Sequence, residues 1–370
     1  MKFLASSLFL SILIAASTLG CPSTSPTGRI RSLSDMVTGR AAHTATLLTD
    51  GRVLIVGGFR NGGTSLREAE IFAADTGTFS PTGSLSTPRS GHTATMLPDG
   101  KILIAGGFDG TYLDSSEIFD PKTGKFTPGG RLTLPRSEHT ATKLADGRIL
   151  LSGGVGTGWT FLSDAEIYDP RTGRFTPTGR MSVPRESHTA TKLAGGNVLI
   201  TGGHKDRRSA ITIYASTEIY DVTRGVFLPG PDLTIKRHKH DAVILADGRV
   251  LISGGSDERD GRAPYNSLEI VDPASGRTRR VGETASARYK LNGAVVRLPS
   301  GKILIAGGSD TSEIFDPVTE KVTPVEGSFG SARLFATATL LKDGRVLIAG
   351  GYDRSTKVGQ GAWIYESLDR

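Results

Sequence analysis

The sequence predicts an all-β protein assembled as a closed ring of seven four-stranded units. Three observations lead there. Glycine supplies 48 of the 370 residues while aromatic residues supply only 6%, a balance that favours many turns over long helices. A segment ending in Gly-Gly recurs seven times, as GRVLIVGG, GKILIAGG, GRILLSGG, GNVLITGG, GRVLISGG, GKILIAGG and GRVLIAGG, starting at residues 51, 100, 147, 196, 248, 301 and 344. The starts lie 43 to 53 residues apart, the period of propeller blades. Just before each segment, or at its start, stands a turn-forming pair, Asp50-Gly51 in the first unit and Ser300-Gly301 in the sixth, which suits a two-residue hairpin with positive φ.

Taken in chain order, the first element is not part of the ring. MKFLASSLFLSILIAASTLGC has Lys2, an apolar run from Phe3 to Ala16, and small residues before Cys21. The run is too short to span a bilayer and reads as a signal peptide over residues 1–20. It resembles a bacterial lipoprotein signal, which implies acylation of Cys21, although Thr18 stands where leucine is usual and Leu19 comes one place later. Ordinary cleavage before Cys21 is the alternative. Cys21 is the only cysteine, so the exported chain is expected to close without a disulfide. Residues 21–26 would then be a short tether, and 27–370 a single propeller domain.

Each unit parses into four strands, of the types HTATLL, RVLIVGG, SEIFDP and GKFTPGG. One such meander cannot bury both faces, so the units must stack about an axis. The seventh unit ends at Arg370 before any fourth strand, whereas TGRIRSLSDMVTGRAAHTAT from Thr27 aligns without gaps to TGRFTPTGRMSVPRESHTAT from Thr172. Residues near 27 to 34 are therefore expected to supply the outer strand of the last blade, which removes free strand edges.

Within the units, Arg40, Arg89, Arg136, Arg185, Arg237, Arg288 and Arg333 share one slot. His43, His92, His139, His188 and His240 share another, filled by Leu291 and Ala336 in units six and seven. Glu70, Glu117, Glu166, Glu218, Glu269 and Glu313 share a third, with Trp363 in the last unit. One residue per blade spreads these groups around the ring, whereas zinc needs nitrogens at about 2.0–2.1 Å, so the repeated charges read as architecture.

Repeats of PRSxHTATxLxDGRxLIxGG followed by EIYDPxTGxFxPTG resemble the kelch family, in the bacterial form related to the propeller of galactose oxidase. The resemblance implies a seven-bladed kelch-type β-propeller and leaves the activity open, because one propeller architecture carries many functions. Galactose oxidase relatives use copper with a cysteine-crosslinked tyrosine. Cys21 lies outside the blades, so that centre is not expected here. A bacterial sialate epimerase also resembles the family, and Glu138, Glu186, Arg208 and Lys239 are the residues such an enzyme would draw on. No nucleophile elbow, P-loop or zinc signature occurs.

Function is expected on the face formed by the links after Gly-Gly and the RxxH segments, which vary in length and chemistry. The links HKDRRSAITIYAST and SDERDGRAPYNS of units four and five, with RHKH and RYK nearby, bring Lys205, Arg207, Arg208, His238, Lys239, Tyr265, Tyr289 and Lys290 to neighbouring loops. These eight residues are the candidate ligand-binding set, suited to carboxylates, phosphates or sulfates with aromatic faces for sugars. A solvated basic loop without a ligand is the alternative. His204, His238 and Asp257 show no ligand spacing that singles out a metal, and neither metal nor cofactor is expected.

The net charge of +7 and pI near 9.5 fit an anionic partner, or mere solubility, and charge alone gives nucleic acid only nonspecific binding. The expected protein is an exported, lipid-anchored, monomeric binding or scaffold module for a glycan, anionic polymer or protein. Its place would be the bacterial cell envelope, on the outer membrane of a diderm host, or otherwise the periplasm or medium.

Overall fold

The computed structural model describes residues 26–207, 210–257, 263–291 and 293–368. The expected signal segment of residues 1–20, Cys21 and Arg208 lie outside the described residues. Seven four-stranded antiparallel sheets are arranged as blades around an axis, and the described residues include the 3-10 turn Thr157–Trp159 and no α-helix. In blade one the strands are Thr44–Leu47, Val53–Val56, Ala69–Ala73 and Thr78–Pro81, from axis to rim.

The ring closes as the alignment of the termini requires. Gly28–Ser32 pairs antiparallel with Ala362–Ser367, from Gly28 opposite Ser367 to Ser32 opposite Trp363, and so becomes the outer strand of blade seven. The first and last described strands meet in one sheet.

The second strand of each blade is apolar without alternation, as in VLIV of blade one and ILLS of blade three, because adjacent blades cover both of its faces. The core accordingly lies between blades. Leu54 and Val56 of blade one pack with Ile102, Ile104 and Phe119 of blade two. Each such side chain contributes roughly 1.5–3 kcal/mol on burial.

The turn between first and second strands differs from the expected two-residue hairpin. Leu48 N–H donates to Arg52 O at 2.8 Å and Gly51 N–H to Leu48 O at 3.0 Å, which leaves three residues in the loop. Only the glycine takes positive φ (94°), while Asp50 bonds the Arg52 amide at 3.0 Å. Three-residue loops of this kind end on a left-handed residue, so the same Asp-Gly signal serves both turns.

The Gly-Gly pairs mark a close approach of blades. At Gly57 (φ 59°) an added Cβ would sit 2.5 Å from Arg89 O and 2.8 Å from His92 Cε1 of the next blade. The histidines therefore wedge between blades. His92 Nε2 hydrogen-bonds Thr44 Oγ1 at 3.0 Å, His139 bonds Thr93 at 3.0 Å, His188 bonds Thr140 at 3.2 Å, and His43 bonds Thr337 at 3.0 Å across the closure. Burial holds these imidazoles neutral, pushing His92 and His188 down to about 3.

Where blade six replaces the histidine by Leu291, its neighbour adapts. Asp241 replaces the threonine and accepts the Gly293 and Val295 amides at 2.9 and 3.0 Å. Burial pushes its carboxyl up to about 6, against those amide bonds.

Arginine and glutamate pair within six of the seven units. Arg185 donates to Glu218 at 2.9 Å and to Gly202 O at 2.7 Å, while Glu218 also accepts the Ser182 amide at 2.8 Å. The pair thus ties the incoming interblade segment to the third strand. Equivalent ion pairs join Arg40 to Glu70 at 2.7 Å, Arg89 to Glu117 at 3.0 Å and Arg288 to Glu313 at 2.7 Å. In blade seven Arg333 lies 4.8 Å from the ring centroid of Trp363 instead.

Candidate functional site at the axial ring and its rim

The residue before each histidine slot is Ala42, Gly91, Glu138, Ser187, Lys239, Lys290 or Phe335, and all seven take left-handed φ between 49° and 60°. Backbone hydrogen bonds link six of the seven neighbouring pairs around the axis. Gly91 donates to Ala42 at 3.4 Å, Glu138 to Gly91 at 2.9 Å, Lys239 to Ser187 at 3.0 Å, Lys290 to Lys239 at 2.9 Å, Phe335 to Lys290 at 2.9 Å and Ala42 to Phe335 at 3.3 Å. Left-handed geometry costs a non-glycine residue about 1–2 kcal/mol, so six such residues persist only because the ring over-determines them. The scaffold is the same in every blade, and the side chains it carries are not.

An axial cavity of about 150 Å³ is lined by Glu138, Ser187, Phe335 and the repeated histidines, among others. The Glu138 carboxyl lies over Gly91, where an added Cβ would come within 2.7 Å of Oε1, so the small slot of blade two makes room for the acid of blade three. Burial, with the Glu186 charge beside it, pushes Glu138 up to about 7, and Lys239, Arg207 and Lys290 partly oppose this. Two cations and a carboxyl that is half-protonated near neutrality thus share the ring.

Lys290 is held among aromatic rings. Its ammonium lies 5.1 Å from the Tyr289 centroid, 5.2 Å from Tyr352 and 5.6 Å from Phe335, and it donates to the Tyr352 hydroxyl at 2.5 Å. These contacts fix the direction of a side chain that is otherwise long and mobile.

On the rim the structure sorts the candidates into different roles. Arg207 donates to both carboxylate oxygens of Glu186, at 3.1 and 3.2 Å, and stacks 4.0 Å over Trp159, which is 54% exposed. Buried Glu186 also lies 3.4 Å from His204 Nε2, and His204 Nδ1 meets His238 Nδ1 at 3.2 Å. Burial pushes His204 down to about 2, so this contact is a hydrogen bond of a neutral ring. His238 is buried beneath the surface. Lys205 is half-buried in the two-residue strand His204–Lys205, which pairs with Thr212–Ile213.

Tyr265 packs 5.2 Å from Arg237, and burial with Asp257 nearby pushes its hydroxyl up to about 12. Among the described residues, no three His, Cys, Asp or Glu side chains gather as a metal site. Of the predicted set, Lys239 and Lys290 are brought together at the axis, Tyr289 flanks Lys290, and Arg207 is drawn away toward blade three.

Sequence reasoning placed no weight on the ring slot, on Trp159 or on Phe335 and Tyr352. A signal for the slot was present, since one position inside an otherwise repetitive motif holds Ala, Gly, Glu, Ser, Lys, Lys and Phe in turn.

A family model described as the KLHDC2/KLHL20/DRC7 Kelch-repeats domain matches residues 23–203. No curated protein matches the chain. Among solved structures, one described as "Novel fungal alcohol oxidase with catalytic diversity among the AA5 family, in complex with copper" is 18% identical, with a TM-score of 0.74 over 92% of this chain and 76% of that one. That likeness is one of fold. The donors here do not fit copper: the repeated imidazoles are turned into interblade bonds with threonines, His204 and His238 bond each other, and the axial ring offers Glu138 with two lysines.

Proposed function

We propose that this seven-bladed β-propeller, whose repeats resemble the kelch family, acts as a binding module, taking an anionic glycan or other anionic ligand on the face that carries the axial ring. The observation that carries this reading is the placement of Lys239 and Lys290 in adjacent ring slots, with Tyr289, Phe335 and Tyr352 around the second ammonium. A cation directed by aromatic rings, with a second cation in the adjacent slot, suits a carboxylate or sulfate on a sugar. Lys205, half-buried, and Arg207, bonded to Glu186, lie outside the ring. In the same reading the protein is exported and monomeric, and acylation of Cys21 holds it close to a membrane across the tether of residues 22–26.

One observation favours an alternative, a carbohydrate-active enzyme of the epimerase kind. Glu138, pushed up to about 7 beside Lys239, is matched to proton transfer at neutral pH. A panel of neutral and acidic glycans separates the two. The binding reading expects acidic glycans to be retained by the purified propeller at about 0.15 M salt, with their NMR spectra unchanged after prolonged incubation. New sugar resonances would establish turnover instead, and equal retention of every polyanion, lost as salt rises, would leave only nonspecific attraction.

A further inference from the structure

Blade six is the low point of the ligand-bearing face. The link between its second and third strands spans residues 306–312, whereas the corresponding links of blades five and seven span 254–264 and 350–361. The short link leaves a groove of about 390 Å³ over blade six. Pro264 stands on its blade-five side, Gly308 is among its lining residues, and Arg354 and Thr356 rise on the blade-seven side. Tyr289 and Lys290 also line it, and the latter belongs to the axial ring. Lys290, which lines the groove, packs against Phe335, which lines the axial cavity, so the two are neighbours on the face.

We propose that this groove is a second subsite, which receives the following sugars of a linear carboxylated oligosaccharide whose end is held at the axial ring. The inference rests on the anionic-ligand reading of that ring. Its lining holds two cations, Lys290 and the exposed Arg354, and no carboxylate among the described residues. A guanidinium fork matches a carboxylate, and a uronic acid chain presents one carboxylate on each ring. The aromatic wall suits the apolar faces of the sugars, and the volume lies within the range of ligand pockets.

A peptide fits less well, because extended peptides bind through unpaired backbone groups at a strand edge. Here Gly308 N–H already donates to Arg333 O at 2.9 Å, and Leu334 and Tyr352 exchange both of their backbone bonds at 2.9 and 3.0 Å.

The test is calorimetric titration of the mature chain with galacturonate and with its linear trimer, on the wild type and on Arg354→Glu. Arg354 is exposed, so the substitution leaves the fold intact. The expected result is trimer binding at least tenfold tighter than monomer binding, with that gain lost in Arg354→Glu while monomer affinity stays within twofold. Equal affinity for monomer and trimer, or a gain that survives Arg354→Glu, would overturn the groove alone. Tri-glutamate binding as tightly as the trimer would assign the groove to a peptide. If neither sugar binds the wild type, the ring reading fails and the groove falls with it.

Discussion

Lowering the pH below about 6.5 is expected to unfold this propeller steeply. Six imidazoles, His43, His92, His139, His188, His204 and His240, are held below their ordinary value of 6.5, chiefly by burial. A folded-state pKa below the unfolded one means that the unfolded chain takes up the proton first. The stabilisation is therefore complete above the unfolded pKa and is lost as the pH falls through it. Three carboxyls, Glu138, Glu186 and Asp241, are raised by burial and act in the opposite direction. Six groups that take up a proton on unfolding outnumber three that release one, so unfolding takes up protons on balance, and each proton of that balance is worth about 1.4 kcal/mol per pH unit. Against a typical stability of about 5–15 kcal/mol, a balance of about two protons removes a large share over two pH units. Melting temperatures measured from about pH 8 to pH 4 should hold above pH 7 and drop sharply below pH 6. A flat profile across that range would show that the wedge histidines can be protonated in place.

Replacing Arg185 by methionine is expected to cost about 3–5 kcal/mol, a large share of the stability of a typical domain. Both Arg185 and Glu218 are buried, and the loss of the guanidinium strands a carboxylate that keeps only the Ser182 amide. The Gly202 carbonyl loses the guanidinium as donor, and the Ser216 carbonyl is left with the Gly202 amide. Arg333→Met is the internal control. Its partner is the face of Trp363 rather than a carboxylate, so its cost should be nearer 1 kcal/mol. Urea denaturation of the two variants measures the difference, and equal losses would contradict this role of the repeated pair.

Much of this architecture is legible in the chain because repetition magnifies weak local signals. Seven Gly-Gly segments at blade spacing give the count, the unmatched strand at residues 27 to 34 gives the closure, and the recurring arginine and glutamate slots give the ion pairs. Turn length was not legible, since Asp50-Gly51 serves a two-residue and a three-residue loop equally well. The fate of individual charges was hidden for a different reason. Arg207 belongs to a basic run in sequence, yet its partners Glu186 and Trp159 come from other segments, and only the curvature of the ring brings them together. The same holds for Glu138, whose position depends on a glycine in the preceding blade. What separates Lys239 from most other lysines of the chain is a left-handed backbone position shared by all seven blades, and composition carries no trace of it.

The central claim is that the axial ring holds the anionic ligand, and a slot exchange tests it most directly. Lys239 and Lys290 are both changed to serine, the residue that blade four carries at the same position with φ 54° in Ser187, so the ring itself should persist. Galacturonate is then titrated into the wild type and the double variant by calorimetry at about 0.15 M salt. The predicted result is an affinity loss of at least tenfold with an unchanged melting temperature. Undiminished affinity in the variant would contradict the claim and place binding outside the ring.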